Sequence, residues 1–480
     1  MTIPKAGTLV LWLCISMFGS TPLRPSAPES VIAASQSSLI PVFETDSNEF
    51  IGLSLVNTSV VKNEVTVTWT NSDGNGARMA NMSLAPGSQR VALVKEILGI
   101  PEDPTQGWIR IDSSEPGLLS YMTSGRDGML DGTESAPLIS TRIMLPHVAV
   151  NTGFMELEHT ETLVNLINPG TATANAHAEL IGLDGVAAGD LVVALPAHAS
   201  RTLHVSEAFH DSLPPNNVGG RTFRGYMKIS SDGGLAGWLR IDTPLSRRLL
   251  RGRVLEEIIP AYLAMVSHFA FGGPTLYSSE LNLINAGDSA VTLDMVAQLD
   301  GAVTGISVRR TLNPGQGFRE NVVSLFQIVL PAEFQTQLLT GYIRIRSADG
   351  GMFQGIGDID ITREGNAASM LYPIETAFSS NQVMPFVLND LDYFTGYAIA
   401  NPNELLTVQT DVTIELFDPD GHPVGSARSV SLSPSARFVS LIEEKIRAGY
   451  LRIRANGPVA LLGSLGTQNG SMLAPLPWLP

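Results

Sequence analysis

At 480 residues the chain has room for three or four ordinary domains, and 44% apolar with 16% charged residues describe folded material rather than disorder. A net charge of −16 argues against nucleic acid or anionic membrane as the main partner, since either demands a concentrated basic face. Forty-five glycines, thirty prolines and only 6% aromatics suit many short strands joined by turns.

The N-terminus, MTIPKAGTLVLWLCISMFGS, places Lys5 ahead of an apolar run from about Thr8 to Phe18, too short to span a bilayer. Ala33-Ala34-Ser35 offers a small-residue cleavage site, with Gly19 or Ser20 as an earlier option, so residues 1–35 read as a secretory signal peptide. Cys14 follows Leu13, which is not the small residue that a lipoprotein acylation site wants. It is the only cysteine, so the mature chain is expected to be secreted, periplasmic or cell-surface without disulfides. No second apolar run reaches the length of a membrane span, so no transmembrane helix is expected in the mature chain.

Along the rest of the chain the same landmarks return four times in one order. Each unit opens on a proline-bearing strand, at Pro41, Pro146, Pro260 and Pro385, as fits an edge strand. An alternating apolar strand then ends at Asn57, Asn168, Asn285 and Asn401, at intervals of 111, 117 and 116 residues. A hairpin signal follows at Asp73-Gly74, Asp184-Gly185, Asp300-Gly301 and Asp420-Gly421. Next come a leucine-proline turn at Pro86, Pro196, Pro314 and Pro434 and a strand end running into a short helical turn. A glycine-aromatic strand closes the series at Gly107, Gly225, Gly341 and Gly449.

A period of about one small domain, with turns every 8–12 residues, predicts an all-β chain of four immunoglobulin-like β-sandwiches of about seven strands each. The expected units are 36–141, 142–254, 255–378 and 379–480, joined through stretches near 133–142, 245–258 and 364–382. The fourth copy is the cleanest, with FTGYAIANPN, VTIELFDPDG and GYLRIRANGPVALLGSLGT. It resembles tandem immunoglobulin-like repeats of uncharacterised secreted bacterial proteins, where an A-N-P strand end precedes a D-x-D-G turn and a G-x-L-R-I strand. That resemblance implies a location and an architecture, and it transfers no enzymatic residue.

Chemistry has few footholds. No G-x-S-x-G elbow, P-loop or H-E-x-x-H is present, so no catalytic residue, cofactor site or metal ligand is expected. Six of eight histidines fall in the second unit, and His198, His204 and His210 are evenly spaced but occupy a turn, a strand and a helical turn. The acidic turns Asp418-Pro-Asp420-Gly421 and Asp127-Gly-Met-Leu-Asp131-Gly match calcium chemistry, yet Asp-Gly is also what a tight turn wants. The basic run Arg247-Arg248-Leu-Leu-Arg251-Gly-Arg253 reads as a solvated loop pairing with acids on the next unit.

In GYIRIR, period-two alternation puts Ile343 and Ile345 on the core face and Tyr342, Arg344 and Arg346 on the other. The repeated aromatic/basic pairs, Trp108 with Arg110, Tyr226 with Lys228, Tyr342 with Arg344 and Tyr450 with Arg452, are therefore either a fold signature or a ligand-binding stripe. The expected role is non-catalytic: structural, adhesive or protein-interacting, with carbohydrate or ligand binding as the alternative. The partner would be a protein or glycan outside the cytoplasm.

Overall fold

The computed structural model of the chain describes residues 36–43, 49–126, 129–136, 139–151, 160–215, 221–244, 246–255, 265–274, 276–302, 304–363, 366–374, 379–402 and 408–479. The expected signal peptide, Pro260 and Asp127 lie outside them. The first unit runs β1 (Gln36–Val42), β2 (Phe50–Asn57), β3 (Asn63–Thr70), β4 (Ala77–Leu84), β5 (Gln89–Leu93), helix α1 (Val94–Leu98), β6 (Gly107–Ser113), β7 (Leu118–Arg126) and β8 (Met129–Glu134). The second has β9 (Ser140–Val150), β10 (Glu161–Ile167), β11 (Ala174–Gly182), β12 (Ala187–Leu195), β13 (Ser200–His204), α2 (Val205–Ala208), the long β14 (Phe223–Asp242), β15 (Arg247–Arg251) and β16 (Arg253–Val254).

The third follows with β17 (Met265–Gly272), β18 (Leu276–Asn285), β19 (Val291–Leu299), β20 (Ile306–Leu312), β21 (Gly317–Asn321), α3 (Val322–Phe326), β22 (Leu338–Ser347), β23 (Phe353–Arg363) and β24 (Asn366–Pro373). The fourth comprises β25 (Ser379–Met384), β26 (Tyr393–Ala400), β27 (Thr410–Phe417), β28 (Arg428–Leu432), β29 (Arg437–Leu441), β30 (Tyr450–Thr467) and β31 (Leu473–Leu476). The chain is all-β and sandwich-built, as its alternation predicts. The helical turn appears in three copies. In the fourth, the corresponding segment is irregular and is held instead by Asn389, whose side chain donates to Ile442 O and Glu444 O at 2.9 Å each.

Every unit repeats one pairing scheme. In the first, β1-β6-β3-β4 form one sheet and β5-β2-β7-β8 the other, all antiparallel. The two sheets enclose a core that includes Ile40, Leu53, Leu55, Val65, Val67 and Ile109. The seventh strand pairs with the second, whereas an immunoglobulin constant domain sets its sixth and seventh strands side by side. In the second and fourth units the sixth and seventh strands are one continuous ladder strand, β14 and β30, that crosses from one sheet to the other.

The recurring asparagine is a polar staple. Asn168 donates its side-chain amide to Ala172 O, Leu195 O and Pro196 O at 2.8, 2.9 and 2.9 Å, tying a strand end to the leucine-proline turn. Asn57, Asn285 and Asn401 repeat the bonds to the equivalent turn carbonyls. All four side chains are buried, where an unpaired carbonyl would be costly.

An eighth strand changes the assembly of the units. β8 packs against β15 and β31, and β24 packs against the same two, so four strands close a cycle about a central axis. The stretches expected to join units thus contain the axial strands β15 and β24. The basic run at Arg247 is not a solvated loop. It is β15, with Arg247 and Arg248 both buried, because the Arg-Arg and Leu-Leu doublets put both residue types on each face of this central strand and neither face is left in water. Their acids do belong to neighbours: Arg247 Nη2 lies 2.6 Å from Glu49 Oε1 and Arg248 Nη1 lies 3.2 Å from Asp358 Oδ2. Asp131, expected in an acidic turn, is likewise a buried residue of β8 and accepts the main-chain N–H of Leu249.

Candidate functional site

Each glycine-aromatic strand meets the leucine-proline turn of another unit. Trp108 Nε1 donates to His198 O at 2.8 Å, Tyr226 Oη to Gly315 O at 2.7 Å, and Tyr450 Oη to Gly87 O at 2.7 Å. The accepting residues sit at positive φ, 58° at His198 and 72° at both Gly87 and Gly315. That turn conformation swings the carbonyl outward from its own unit. First meets second, second meets third, and fourth meets first, while Arg437 of the fourth donates to Gly341 O of the third at 2.6 Å: the ring is closed.

Alternation explains the burial. Tyr450 clusters with Val56 and Phe417, while Leu451 and Ile453 belong to the fourth unit's core. Tyr226 clusters with Ile284, and Met227 and Ile229 with the second unit's core. The aromatic points away from its own core, as the sequence predicts. The next unit covers it, so Trp108, Tyr226, Tyr342 and Tyr450 are all buried.

The basic partners have separate engagements. Arg110 is exposed and pairs with Asp112 at 2.8 Å. Lys228 stands 6.0 Å from the centre of the Tyr226 ring, within cation–π range. Arg452 pairs with Glu415 and lies 4.5 Å over Phe417, which itself stacks on Tyr450 at 4.9 Å. Arg344 shares a cleft with Tyr342.

On the axis, the four central strands leave a cavity of about 470 Å³ lined by residues from every unit. Leu249, Leu371, Leu461 and Trp478 make its wall mainly apolar, and Glu134 and Arg251 form an ion pair of 2.9 Å in the lining. No local motif announces this cavity, because its lining is assembled from separate segments of all four units.

Buried titratable groups surround the axis. Burial drives the Asp131 and Asp360 carboxyls well above their ordinary range. Burial, reinforced by Arg319, Arg248 and Arg224, drives His147 well below its own. Among the described residues, one acidic group could gather about an ion: Asp418, Asp420 and His422, with ligand atoms within 4.8 Å of one another. Turn bonds already occupy it, since Asp418 Oδ1 accepts the N–H groups of Asp420 and His422 at 3.0 and 2.8 Å. His198, His204 and His210 form no such group.

No protein-family model matches the chain, and no curated protein sequence matches it. Among solved structures, a biofilm-associated protein's BSP domain is 10% identical and covers 94% of this chain and 98% of its own, at a TM-score of 0.15. A score that low carries no inference about fold or role.

Proposed function

We propose that the chain is a non-catalytic recognition scaffold acting outside the cytoplasm, in which four β-sandwich units close into a ring to present one axial pocket to a protein partner. The observation that carries it is the axial cavity, which exists only because all four eighth strands converge. Engagement of the Trp108, Tyr226 and Tyr450 side chains in joints supports this reading over a four-copy ligand stripe. Among the described residues no helix is long and apolar enough to cross a membrane. The strongly perturbed carboxyls sit in packed contacts between strands, which supports a structural rather than catalytic use of them.

A photo-crosslinking residue at Leu479, a half-buried position in the cavity lining, tests the proposal in extracts of the host's own envelope and culture fluid. One discrete protein adduct is expected, and Leu462→Arg, across the same cavity, should abolish it. An identical adduct pattern from a crosslinker at Val60, which is 91% exposed away from the axis, would sink the idea.

A further inference from the structure

Each unit ends one sheet on its fourth strand. Among the described residues, β4, β12, β20 and β28 each have a strand neighbour on one side alone. An open edge is a row of unpaired N–H and C=O groups, and charged side chains are the usual guard against strand addition there. Three of the four edges carry such a guard. Arg78 stands exposed on β4, Arg309 and Arg310 sit on β20, and Arg428 sits on β28. Two of these edges are also tied to the strand that follows, through Arg310 to Glu320 at 2.6 Å and Arg428 to Ser440 at 3.1 Å.

The β12 sequence, AAGDLVVAL, has no basic residue, and Asp190 is its one charge. Alternation turns Val193 and Leu195 into the second unit's core and leaves Asp190, Val192 and Ala194 outside, with Val192 64% exposed. Among the described residues, no main-chain N–H or C=O from Asp190 to Ala194 bonds to backbone other than that of β11. The stretch is bounded at both ends. The β11 ladder shifts register between Leu180 and Ile181, opposite Gly189 and Ala187, and Leu195 O already accepts the Asn168 side chain at 2.9 Å. Five residues are left, the usual length of a strand.

These five complement themselves. Facing residues of an antiparallel pair share one sheet face, so a two-fold axis that keeps both faces intact sets one residue against its own copy. An axis at Asp190 opposes two carboxylates. A five-residue ladder about Leu191 draws in Gly189 and the register shift, and one about Val193 draws in the occupied Leu195 carbonyl. An axis at Val192 uses the five free residues and nothing else. It sets Val192 against Val192, Leu191 against Val193 and Asp190 against Ala194, with no like charges opposed.

We propose that two copies of the chain join through β12, antiparallel about a two-fold axis at Val192, making one continuous sheet of two second units. Self-complementarity of the stretch selects a second copy over a foreign strand as the occupant. Dimerisation is independent of the axial reading, and each copy keeps its own pocket.

Sedimentation of the full chain between about 1 and 100 μM tests the assignment. The mass should rise from that of one chain to that of two. Val192→Lys opposes two ammonium groups across the axis and should weaken association at least about tenfold, with the urea midpoint at about 1 μM unchanged. Met79→Lys, at a 55% exposed position of β4, should leave the dimer intact. In a Cys14→Ser chain, Val192→Cys should oxidise to a disulfide-linked dimer, since facing Cβ atoms lie about 4.5–5.5 Å apart and a small shift closes the bond. Val186→Cys, 62% exposed but outside the ladder, should stay reduced. The mass of one chain throughout the range overturns the proposal. So does a dimer that survives Val192→Lys, or equal cross-linking at Val186 and Val192.

Discussion

Tyr450 Oη donates to the main-chain carbonyl of Gly87 at 2.7 Å, joining two residues 363 positions apart. This one bond belongs to a larger seam: Gln89 Nε2 reaches Pro385 O and Gly449 O at 2.8 and 3.0 Å, and Tyr121 Oη reaches Pro475 O at 2.9 Å. A row of units on flexible links would leave its first and last members apart. Here they share a polar and apolar interface, so each unit has two neighbours.

The joints differ in a way that substitution separates. Tyr226→Phe and Tyr450→Phe keep the ring but orphan a turn carbonyl, and each should cost about 1 kcal/mol in urea unfolding. Tyr342→Phe removes a hydroxyl that reaches no turn carbonyl and should cost less than either. Equal losses at all three positions would show that the third joint is closed like the rest.

The staple asparagines should rank among the costliest polar substitutions. Asn168→Ala leaves three carbonyls without their donor in a buried turn, and a loss of about 2–3 kcal/mol is expected from chemical denaturation. Asn168→Asp conserves shape but supplies only acceptors, so it should be no better than alanine. Preservation of stability by aspartate would mean that shape, not donation, fixes the turn.

Much of this fold was legible, and what escaped did so for physical reasons. Alternation placed Ile343 and Ile345 in the core and turned Tyr342 away from it, because strand geometry is local. What covers Tyr342 is a turn some 90 residues onward, and no period in the sequence encodes that contact. The axial strands escaped for a related reason. Arg247-Arg248-Leu-Leu-Arg251 carries the charges of a surface loop, and its burial rests on Glu49, Asp358 and Glu134 supplied from two other units.

Those axial ion pairs make a sharp contrast with surface ones. Arg248→Met leaves Asp358 buried with one cation fewer, and a loss of about 3 kcal/mol is expected even with Arg319 still 2.7 Å away. Arg309→Met breaks an exposed pair with Asp294 and should produce no measurable change. The two variants measured side by side by urea denaturation decide whether the axis depends on its charges. Parity between them would show that the axial pairs are dispensable.

Acid should weaken the fold through histidines that stay neutral inside it. Burial and nearby arginines hold His147 well below its ordinary value, and burial with Arg437 does the same for His268. A folded value below the unfolded one means that unfolding takes up a proton, so stability is lost as pH falls below about 6.5. One pH unit further down, each histidine should cost at most about 1 kcal/mol. Asp131 and Asp360 act in the opposite sense: their raised folded values favour proton uptake by the native state, which adds stability as pH falls towards about 4. A single melting curve therefore cannot separate the two effects, but a variant can. His268→Phe keeps an aromatic ring beside Tyr342, whose centre lies 6.5 Å away, and removes the titrating nitrogens. Its urea midpoint should fall less than the parent's between pH 7.5 and 5.5, and an unchanged pH slope would show that His268 accepts its proton within the folded ring.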